Sequence, residues 1–573
     1  MTVKTMPNRQ QPARIQALSG VGLVLGTLFF AASLTPTLIP RTALTQGVLA
    51  GLCFAAGYSI GLFLHWLWVY LELPEPSARS RRRGNALIIA LCLAVAVFVL
   101  WQSTGWQNSI RSTMEMAPIS GLHPIKICLV ALPTFAILFA LGRLFRFLVR
   151  FFATHMRRLV PPKIAYTGGV AIAILIFWLL ASNVLVRAGF NTFEASFRQY
   201  DALLEPERAQ PIDAMKTGSA ASLINWGELG RAGREFIAAG PDAIAITAHT
   251  GRPALEPIRV YAGLRSGETA AARARLALEE LKRQDAFERS VLVVVTPTGT
   301  GWVDPAALDA VEYLHEGDIA SVAMQYSYLS SPLSLLVQPD YGAEAARALF
   351  TEIYAYWTAL PKDHRPKLYL HGLSLGARNS ERSAGLFEMI SDPINGAVWS
   401  GPPFGSTLWR SITNRRNSDS PAWLPEFHDG SLVRFMNQHG STLAPQSPWG
   451  PIRVVYLQYA SDAITFFEPE SWYRRPAWMQ QPRGPDVSST FRWYPIVTML
   501  QLTLDMALSD ATPMGYGHVY APGHYVDAWV AVTGVDNWTA DELSQLKTYL
   551  SNQAQTAMES DDRKEDAYAN RGG

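Results

Sequence analysis

The chain has 573 residues, enough for two or more domains, and 49% of them are hydrophobic while only 17% are charged. Its mean hydropathy of +0.07 is unusual for a wholly water-soluble protein of this length, and its formal net charge of +2 gives no reason to expect a nucleic acid partner. The three cysteines, Cys53, Cys92 and Cys128, all lie in apolar runs near the N-terminus. The larger part of the chain therefore has neither a disulfide nor a thiolate metal site.

Five apolar stretches in the first 190 residues reach or approach the roughly 20 residues that span a bilayer. They comprise residues 17–39, 48–71, 86–103, 127–142 and 164–186. Soluble helices rarely stay apolar on all faces over such a length. The first stretch is also too long, and too closely followed by the second, for a cleaved signal peptide. The sequence therefore predicts a five-helix transmembrane domain over residues 1–190.

Basic residues between these stretches predict their orientation, because cytoplasmic loops are enriched in Lys and Arg. One side carries thirteen of them: Lys4, Arg9, Arg14, Arg79, Arg81, Arg82, Arg83, Arg143, Arg146, Arg150, Arg157, Arg158 and Lys163. The other side carries three: Arg41, Arg111 and Lys126. The N-terminus is therefore expected in the cytoplasm. Five spans then place everything after about residue 187 outside it.

The remainder of the chain is predicted to be an α/β domain. Residues 191–240 are interpreted as a connector, and residues 558–573 as a charged, disordered tail. Between them, over residues 241–557, six short apolar runs alternate with helical patterns, which predicts a doubly wound, mostly parallel sheet. The predicted strands are residues 258–263, 291–296, 319–324, 368–371, 397–399 and 454–459, and the predicted helices are residues 268–287, 305–314, 342–360 and 377–390. Segments 402–450 and 468–510 interrupt the alternation. They are either cap-like insertions over a site or long surface loops packed by aromatic side chains.

The sequence Gly372-Leu373-Ser374-Leu375-Gly376 is the most informative motif in this domain. A short apolar run precedes it and a proline-free helical pattern follows it. Strand, tight glycine turn and helix are the setting of a nucleophile elbow, in which the serine hydroxyl stands above the sheet. The alternative is a glycine-rich turn with an idle serine. The flanking patterns favour Ser374 as a nucleophile.

A serine nucleophile needs a base and an orienting carboxylate, which in this fold follow the serine in the order acid, then histidine. Asp462 comes directly after the predicted strand at residues 454–459, so we expect it to be the acid. Asp392 and Asp505 are weaker alternatives. Asp392 lies close to the elbow in sequence, and Asp505 lies in a helical pattern.

The base is expected in a loop before the last helix of the domain. His518 follows two glycines in Met514-Gly515-Tyr516-Gly517-His518, which leaves the backbone free to place its ring over the serine. His524 is the alternative base. It lies at the start of the following helix, where a capping or solvated role is more usual.

An oxyanion needs two backbone donors. The N–H of Leu375, directly after the nucleophile, is one candidate. The other is expected in the loop after residues 291–296, at Thr298, Gly299 or Thr300, among which the sequence does not choose. This loop lacks the spacing and the lysine of a phosphate-binding loop. No metal-binding or dinucleotide-binding motif is present, so no cofactor is expected.

Five stretches of the chain resemble a known family. They are residues 33–41, 259–264, 296–304, the elbow at 372–376, and residues 517–520. They are similar to those of bacterial membrane-linked α/β-hydrolases, which have a multi-span N-terminal domain and an extracytoplasmic hydrolase domain. The resemblance covers nearly the whole chain and implies an α/β-hydrolase fold, a serine nucleophile at Ser374 and a place in the bacterial cytoplasmic membrane. One departure is Leu373, where many lipases have His.

Three functions remain open at this stage. The first is a membrane-anchored serine hydrolase that cleaves an ester or related acyl bond, for example in a lipid or an envelope glycan. The second is an acyltransferase with the same triad, since the acyl-enzyme is common to both. The third is a catalytically inert membrane scaffold or transporter accessory. The sequence identifies the lipid bilayer as a partner, but neither the substrate nor the oligomeric state.

Overall fold

A computed structural model of the chain describes residues 19–74, 77–180, 182, 199, 201–205, 208–331, 333–334, 340–385, 390–440 and 447–569. These residues form two compact units. The helical unit contains the chain up to Ala173 together with Glu470–Arg474 and Thr490–Leu504. The sheet unit contains Ile174–Pro469, Arg475–Ser489 and the chain from Asp505 onward.

Apolar helices make up the N-terminal region: α1 (Gly20–Ser33), α2 (Ala43–Tyr70), α3 (Ala78–Thr113), α4 (His123–Met156) and α5 (Pro162–Leu179). By length and composition, four of them can cross a membrane: α2, α4, α5 and the Arg83–Thr113 part of α3. Of the five predicted spans, the first is not among these four and stays a prediction. Its described helix has 14 residues, about 21 Å, against a hydrocarbon layer of about 30 Å. It ends at Ser33 because Pro36 and Pro40 cannot continue a helix.

Glycines let α2 approach its two neighbours closely. Gly47 and Gly51 lie against α4, and Gly57 and Gly61 lie against α1. A Cβ atom added at any of these four positions would come within 2.5 to 2.7 Å of a neighbouring atom; for Gly57 that atom is the backbone oxygen of Leu25. Small residues four apart favour this kind of packing in membranes, because dispersion contacts there replace the hydrophobic effect.

A seven-stranded sheet forms the centre of the sheet unit. Its strands are β1 (Ile258–Ala262), β2 (Val291–Thr296), β3 (Ile319–Met324), β4 (Lys367–Leu373), β5 (Gly396–Ser400), β6 (Val433–Met436) and β7 (Arg453–Leu457). Their order is β1-β3-β2-β4-β5-β7-β6, and every pairing is parallel. In register, Thr296 pairs with Gly372, Leu373 with Ser400, and Ser400 with Leu457. The carboxyl ends of β2, β4, β5 and β7 therefore meet at one edge, where ligands bind in such sheets.

Helices pack against this sheet, as expected for an α/β fold. The remaining helices are α6 (Gly230–Ala238), α7 (Ala243–Thr250), α8 (Ala270–Arg283), α9 (Pro305–Leu314), α10 (Tyr341–Ala359), α11 (Leu375–Ser380), α12 (Thr407–Asn414), α13 (Ala463–Phe466), α14 (Val497–Ala507), α15 (Pro522–Thr533) and α16 (Ala540–Ala569). Helix α8 packs against α10, and α9 packs against α15. Six of the seven strands were predicted. The seventh, β6, lies inside the predicted insertion 402–450, since four residues are too few to give a pattern.

Two segments of the predicted hydrolase domain belong to the helical unit. They are Glu470–Arg474 and Thr490–Leu504, and the second contains most of α14. Val497 of α14 packs against Leu49 and Cys53 of α2, and all three are buried. The predicted boundary at residue 190 therefore does not divide the chain into two contiguous domains.

Buried polar contacts join α14 to the end of α1. The side-chain amide of Gln501 donates to the backbone oxygens of Ala32, Ser33 and Thr35, each at 3.3 Å. The guanidinium of Arg41 donates to the backbone oxygen of Gln501 at 3.3 Å. The last carbonyls of a helix have no intrahelical partner. Gln501 supplies donors to that end of α1, although it lies more than 460 residues away in the chain.

The two flanking segments of the predicted α/β domain also differ from expectation. The described part of the predicted connector includes α6, which packs on β1 within the sheet unit. The predicted disordered tail from residue 558 is helical as far as Ala569, as the end of α16. Its Ala, Glu, Lys and Arg residues are strong helix formers, and this preference outweighs the polarity from which disorder was inferred. Residues 181, 183–198 and 570–573, on which parts of these predictions fall, lie outside the described residues.

Candidate active site

The predicted nucleophile elbow joins β4 to α11. Ser374 lies between them with φ 55° and ψ −123°, a strained conformation for a residue with a side chain. A Cβ atom on Gly372 would lie 2.5 Å from the carbonyl carbon of Gly376. One on Gly376 would lie 2.2 Å from the backbone oxygen of Thr296, at the end of β2. Both glycines are therefore required by close backbone contacts, which hold the serine at the carboxyl edge of the sheet.

The predicted acid and base are hydrogen-bonded to each other. Asp462 follows β7 and is the N-cap of α13, and His518 lies in the loop before α15. His518 Nδ1 lies 2.7 Å from Asp462 Oδ2, and both side chains are buried. Gly517, directly before the histidine, has a φ of +57°, which a side chain would disfavour. The glycine thus allows the turn that directs the imidazole toward the carboxylate.

Four further hydrogen bonds fix the Asp462 carboxylate. Its Oδ1 atom accepts from the backbone N–H groups of Ile464 at 2.9 Å and Thr465 at 3.3 Å. Its Oδ2 atom accepts from the Thr465 hydroxyl at 3.1 Å and from the Tyr520 hydroxyl at 2.8 Å. A carboxylate that accepts so many bonds is held in one orientation. His518 therefore meets a fixed acceptor.

The imidazole of His518 has two different environments at its two nitrogens. Burial alone would lower its pKa, but the Asp462 carboxylate outweighs that effect, and the pKa of His518 is raised above the ordinary value of 6.5. The Nε2 atom is buried and has no hydrogen-bond partner among the described residues. A buried nitrogen without a hydrogen-bond partner costs free energy. The hydroxyl of Ser374 would give Nε2 such a partner when substrate is bound.

A short series of contacts connects His518 with Ser374. The N–H of Ser374 donates to the backbone oxygen of Ser400 at 2.9 Å. The next residue, Gly401, has a φ of +50°, and a Cβ atom added there would lie 2.6 Å from Cε1 of His518. The end of β5 thus contacts the elbow on one side and the imidazole on the other.

The alternative base, His524, is engaged elsewhere. The Tyr459 hydroxyl lies 2.6 Å from His524 Nδ1 and also accepts the N–H of Ala521 at 3.0 Å. Burial lowers the pKa of His524 to about 4. The alternative acid Asp392 forms a bidentate ion pair with Arg365, at 2.6 and 2.9 Å. Asp505, the other alternative, is buried in α14.

The three predicted oxyanion donors in the loop after β2 differ in the hydrogen bonds that their N–H groups already make. The N–H of Thr298 donates to the backbone oxygen of Trp302 at 2.9 Å. The N–H of Gly299 donates to the Ser331 hydroxyl at 3.0 Å. The N–H of Thr300 donates to no described residue. In this conformation Thr300 is thus the available donor of the three.

Two buried side chains hold the carbonyl groups of this loop. Gln325 Nε2 donates to the oxygen of Thr300 at 3.1 Å, and the Tyr261 hydroxyl donates to the oxygen of Gly301 at 2.7 Å. The N–H of Leu375 begins α11, so it has no intrahelical partner. The N–H groups of Leu375 and Thr300 are thus the two candidate donors without a partner among the described residues.

Two features of the site were missed at the sequence level. Tyr520 lies in the resembling stretch 517–520, and its hydroxyl donates to Asp462. In the sequence, only its place two residues after the base hints at that role. Asp304 caps α9 through the N–H of Ala306 at 3.0 Å. Burial raises its pKa to about 6, and it lies close enough to His518 to interact electrostatically. A lone Asp before a helix reads as an ordinary N-cap.

Comparison with protein families supports this description of the fold. Residues 258–546 match the alpha/beta-hydrolase family, and residues 34–241 match the N-terminus of an alpha/beta-hydrolase family. Comparisons with curated proteins and with solved structures give no match. The first matched range begins at β1 and contains Ser374, Asp462 and His518. The chain therefore belongs to the alpha/beta-hydrolase family.

Proposed function

We propose that the protein is a serine hydrolase in which Ser374 is the nucleophile, His518 the general base and Asp462 the acid that orients it. One observation carries this proposal. His518 is hydrogen-bonded to a fully buried carboxylate through Nδ1, while its Nε2 atom is buried without a partner, and the contacts of Ser400 and Gly401 link its ring to the strained serine. This is the arrangement that a nucleophilic hydroxyl requires.

The reaction follows from the two nitrogens. His518 Nε2 takes the proton of the Ser374 hydroxyl as Oγ attacks the acyl carbon, and the carbonyl π electrons move onto the oxygen. The N–H groups of Leu375 and Thr300 stabilise that oxyanion. The oxyanion then collapses, the bond to the alcohol breaks, and the imidazolium gives its proton to the leaving oxygen. Asp462 keeps Nδ1 protonated and stabilises the imidazolium.

The acyl-enzyme is resolved by the same groups. Water gives a proton to Nε2 and attacks the acyl carbon, and the Ser374 oxygen leaves with that proton as the free acid forms. An alcohol in place of water would give acyl transfer, with a new ester instead of an acid. The two outcomes differ only in the acceptor, so product analysis with and without an added alcohol separates them.

The proposed substrate is an ester or related acyl bond in a lipid or an envelope glycan, cleaved outside the cytoplasm of a bacterial cell. Four helices long and apolar enough to span a membrane support membrane anchoring. The thirteen basic residues on one side against three on the other support a cytoplasmic N-terminus. Leu373 before the nucleophile, where many lipases have His, argues against assuming a lipase-like substrate.

Labelling with a fluorophosphonate tests the nucleophile without knowledge of the substrate. The full-length protein in detergent should be modified at Ser374, and Ser374→Ala should abolish labelling. Ser411→Ala, on the exposed side of α12, is the matched control and should label as the parent does. If the folded parent protein does not react, or if Ser374→Ala reacts equally, the proposal fails. A screen of lipid and glycan esters would then follow on the reactive protein.

A further inference from the structure

A second buried carboxylate lies behind the acid loop. Asp486 comes from the segment 468–510, which the sequence left open as a cap or a surface loop, and its side chain is 2% exposed. Its Oδ2 atom accepts from the backbone N–H of Ser461 at 2.9 Å, from the Ser461 hydroxyl at 2.5 Å and from Gln438 Nε2 at 2.9 Å. Ser461 directly precedes Asp462.

The Ser461 hydroxyl also contacts the base loop. Because its proton goes to Asp486, its lone pairs face away, and Oγ accepts the N–H of Gly517 at 2.9 Å. Gly517 directly precedes His518. One fully buried hydroxyl therefore joins the residue before the acid to the residue before the base.

Close packing holds Asp486 in this position. A Cβ atom on Gly484 would lie 2.0 Å from Cβ of Ala460, so only glycine fits where this segment lies on the acid loop. The indole N–H of Trp423 donates to the backbone oxygen of Pro482 at 2.8 Å. The residues that precede Asp486 in this segment are thus packed against neighbours, and the carboxylate of Asp486 has little freedom.

We propose that Asp486 is a positioning residue that acts through Ser461 to fix the distance between Asp462 and His518. This inference rests on the proposed function, since it concerns the geometry of that acid–base pair. It assigns the part of segment 468–510 around Asp486 to support of the catalytic loops rather than to a lid. Hydrogen bonds of this kind, one layer behind the reacting groups, are what hold a site within a fraction of an ångström.

The consequence to be measured is the pH dependence of serine reactivity. The raised pKa of His518 depends on its contact with Asp462. If the bridge is removed and the two loops separate, that contact weakens, and the imidazole loses its proton at lower pH. The rate of fluorophosphonate labelling should then fall. The acid limb of the pH profile, the range in which labelling is lost on acidification, should move to lower pH. A variant that only lowers stability would change the amount of reactive protein and leave the limb where it is.

Ser461→Ala and Asp486→Asn are the test variants, assayed as full-length protein over about pH 5 to 8, where imidazole titrates. We expect both to lower the labelling rate about 10- to 100-fold, as for small displacements of reacting groups, and to move the acid limb to lower pH. Gln438→Met removes only one hydrogen-bond donor to Asp486. It should therefore lower the labelling rate and move the acid limb to lower pH by smaller amounts. If Asp486→Asn does not fold, Gln438→Met replaces it in the test.

Ser431→Ala is the control, because Ser431 also donates to an aspartate, Asp429, at 2.7 Å, but on the exposed surface. It should match the parent. If the parent labels and both Ser461→Ala and Asp486→Asn keep its rate and acid limb, the inference is overturned while the proposed function stands. A shift in Asp486→Asn alone would also overturn it, since the carboxylate would then act by charge and not through Ser461. No labelling of the parent would refute the proposed function itself.

Discussion

At the scale of single residues, the two nitrogens of His518 make different contacts. Nδ1 meets a carboxylate that four other groups hold in place, whereas Nε2 meets no described partner. His524 is the opposite case, with Nδ1 hydrogen-bonded to a tyrosine hydroxyl and a pKa lowered to about 4. The first arrangement suits a base that repeatedly takes and returns a proton. The second suits a packed, neutral side chain.

Replacement of Asp462 by Asn should leave the fold intact and slow acylation greatly. The amide can no longer accept the Nδ1 proton as a carboxylate does, so the imidazole loses control of its tautomer. Comparable replacements cost about 10⁴-fold in turnover. The labelling rate of Asp462→Asn checks this, compared with the parent and with Asp392→Asn, which alters a partly buried aspartate paired with Arg365. A near-normal rate would move the role to another carboxylate, with Asp505 the first to test.

The pH dependence of labelling should identify the base directly. Only the neutral imidazole can accept the serine proton, so reactivity is lost as pH falls through the pKa of the base. For His518, whose pKa is raised, the acid limb should have its midpoint above 6.5. If His524 were the base, the midpoint would lie near pH 4. A midpoint near 4 in the parent protein would therefore contradict our assignment.

The nucleophile and its base should behave as one unit in mutagenesis. Ser374→Ala and His518→Ala should each abolish most activity, and the double variant should be little worse than either, because such effects are strongly non-additive. His524→Ala should cost much less. Turnover of the first ester that the parent hydrolyses is the measurement. An inactive His524→Ala beside an active His518→Ala would reverse the roles of the two histidines.

At the scale of elements, the packing of α1 on α2 depends on the absence of a side chain at Gly57. A Cβ atom there would lie 2.5 Å from the backbone oxygen of Leu25, so Gly57→Ala should destabilise the helical unit, by roughly 1 to 3 kcal/mol as for other overpacked sites. Thermal unfolding in detergent measures the effect. Gly105→Ala is the control, since nothing lies within 4 Å of an added Cβ in α3. Equal stability of the two variants would contradict the close packing.

The elements that the sequence predicted well are those with a strong pattern. The runs at β2 and β3 and the helix α9, with Asp304 at its N-cap, have the predicted bounds. The misses have physical reasons. Strand β6 has only four residues, and α1 ends early at prolines within an apolar run. Asp462 and His518 could be proposed as acid and base from their order after the elbow, whereas the contacts of Asp486 and Gly401 join distant loops and leave no pattern in the sequence.

At the scale of the whole molecule, we predict that α1 crosses the membrane with the four longer helices, so that the N-terminus is cytoplasmic and the C-terminus is not. A reporter enzyme that works only outside the cytoplasm, fused after residue 573, should be active, because basic residues favour this orientation thirteen to three. The same reporter fused after residue 83, in the basic first turns of α3, should be inactive. Activity of a cytoplasmic reporter at the C-terminus would contradict the orientation.

Domain organisation was the least predictable property. Hydropathy divides the chain near residue 190, because it records where apolar runs are and not what they pack against. The structure instead assigns Glu470–Arg474 and Thr490–Leu504 to the helical unit. Gln501 reads in the sequence as an ordinary polar residue of a helix. Its donors serve the end of α1, which no local pattern could indicate.

The membership of Thr490–Leu504 in the helical unit has a consequence for synthesis on the ribosome. The chain leaves that unit after Ala173 and completes it only at Leu504, about 330 residues later. At about 5 to 20 residues per second, this interval lasts roughly 15 to 65 seconds. During that time Leu49 and Cys53 lack Val497, and the end of α1 lacks Gln501. The helices made first must therefore persist in an incomplete bundle until residue 504 of the 573 has been translated.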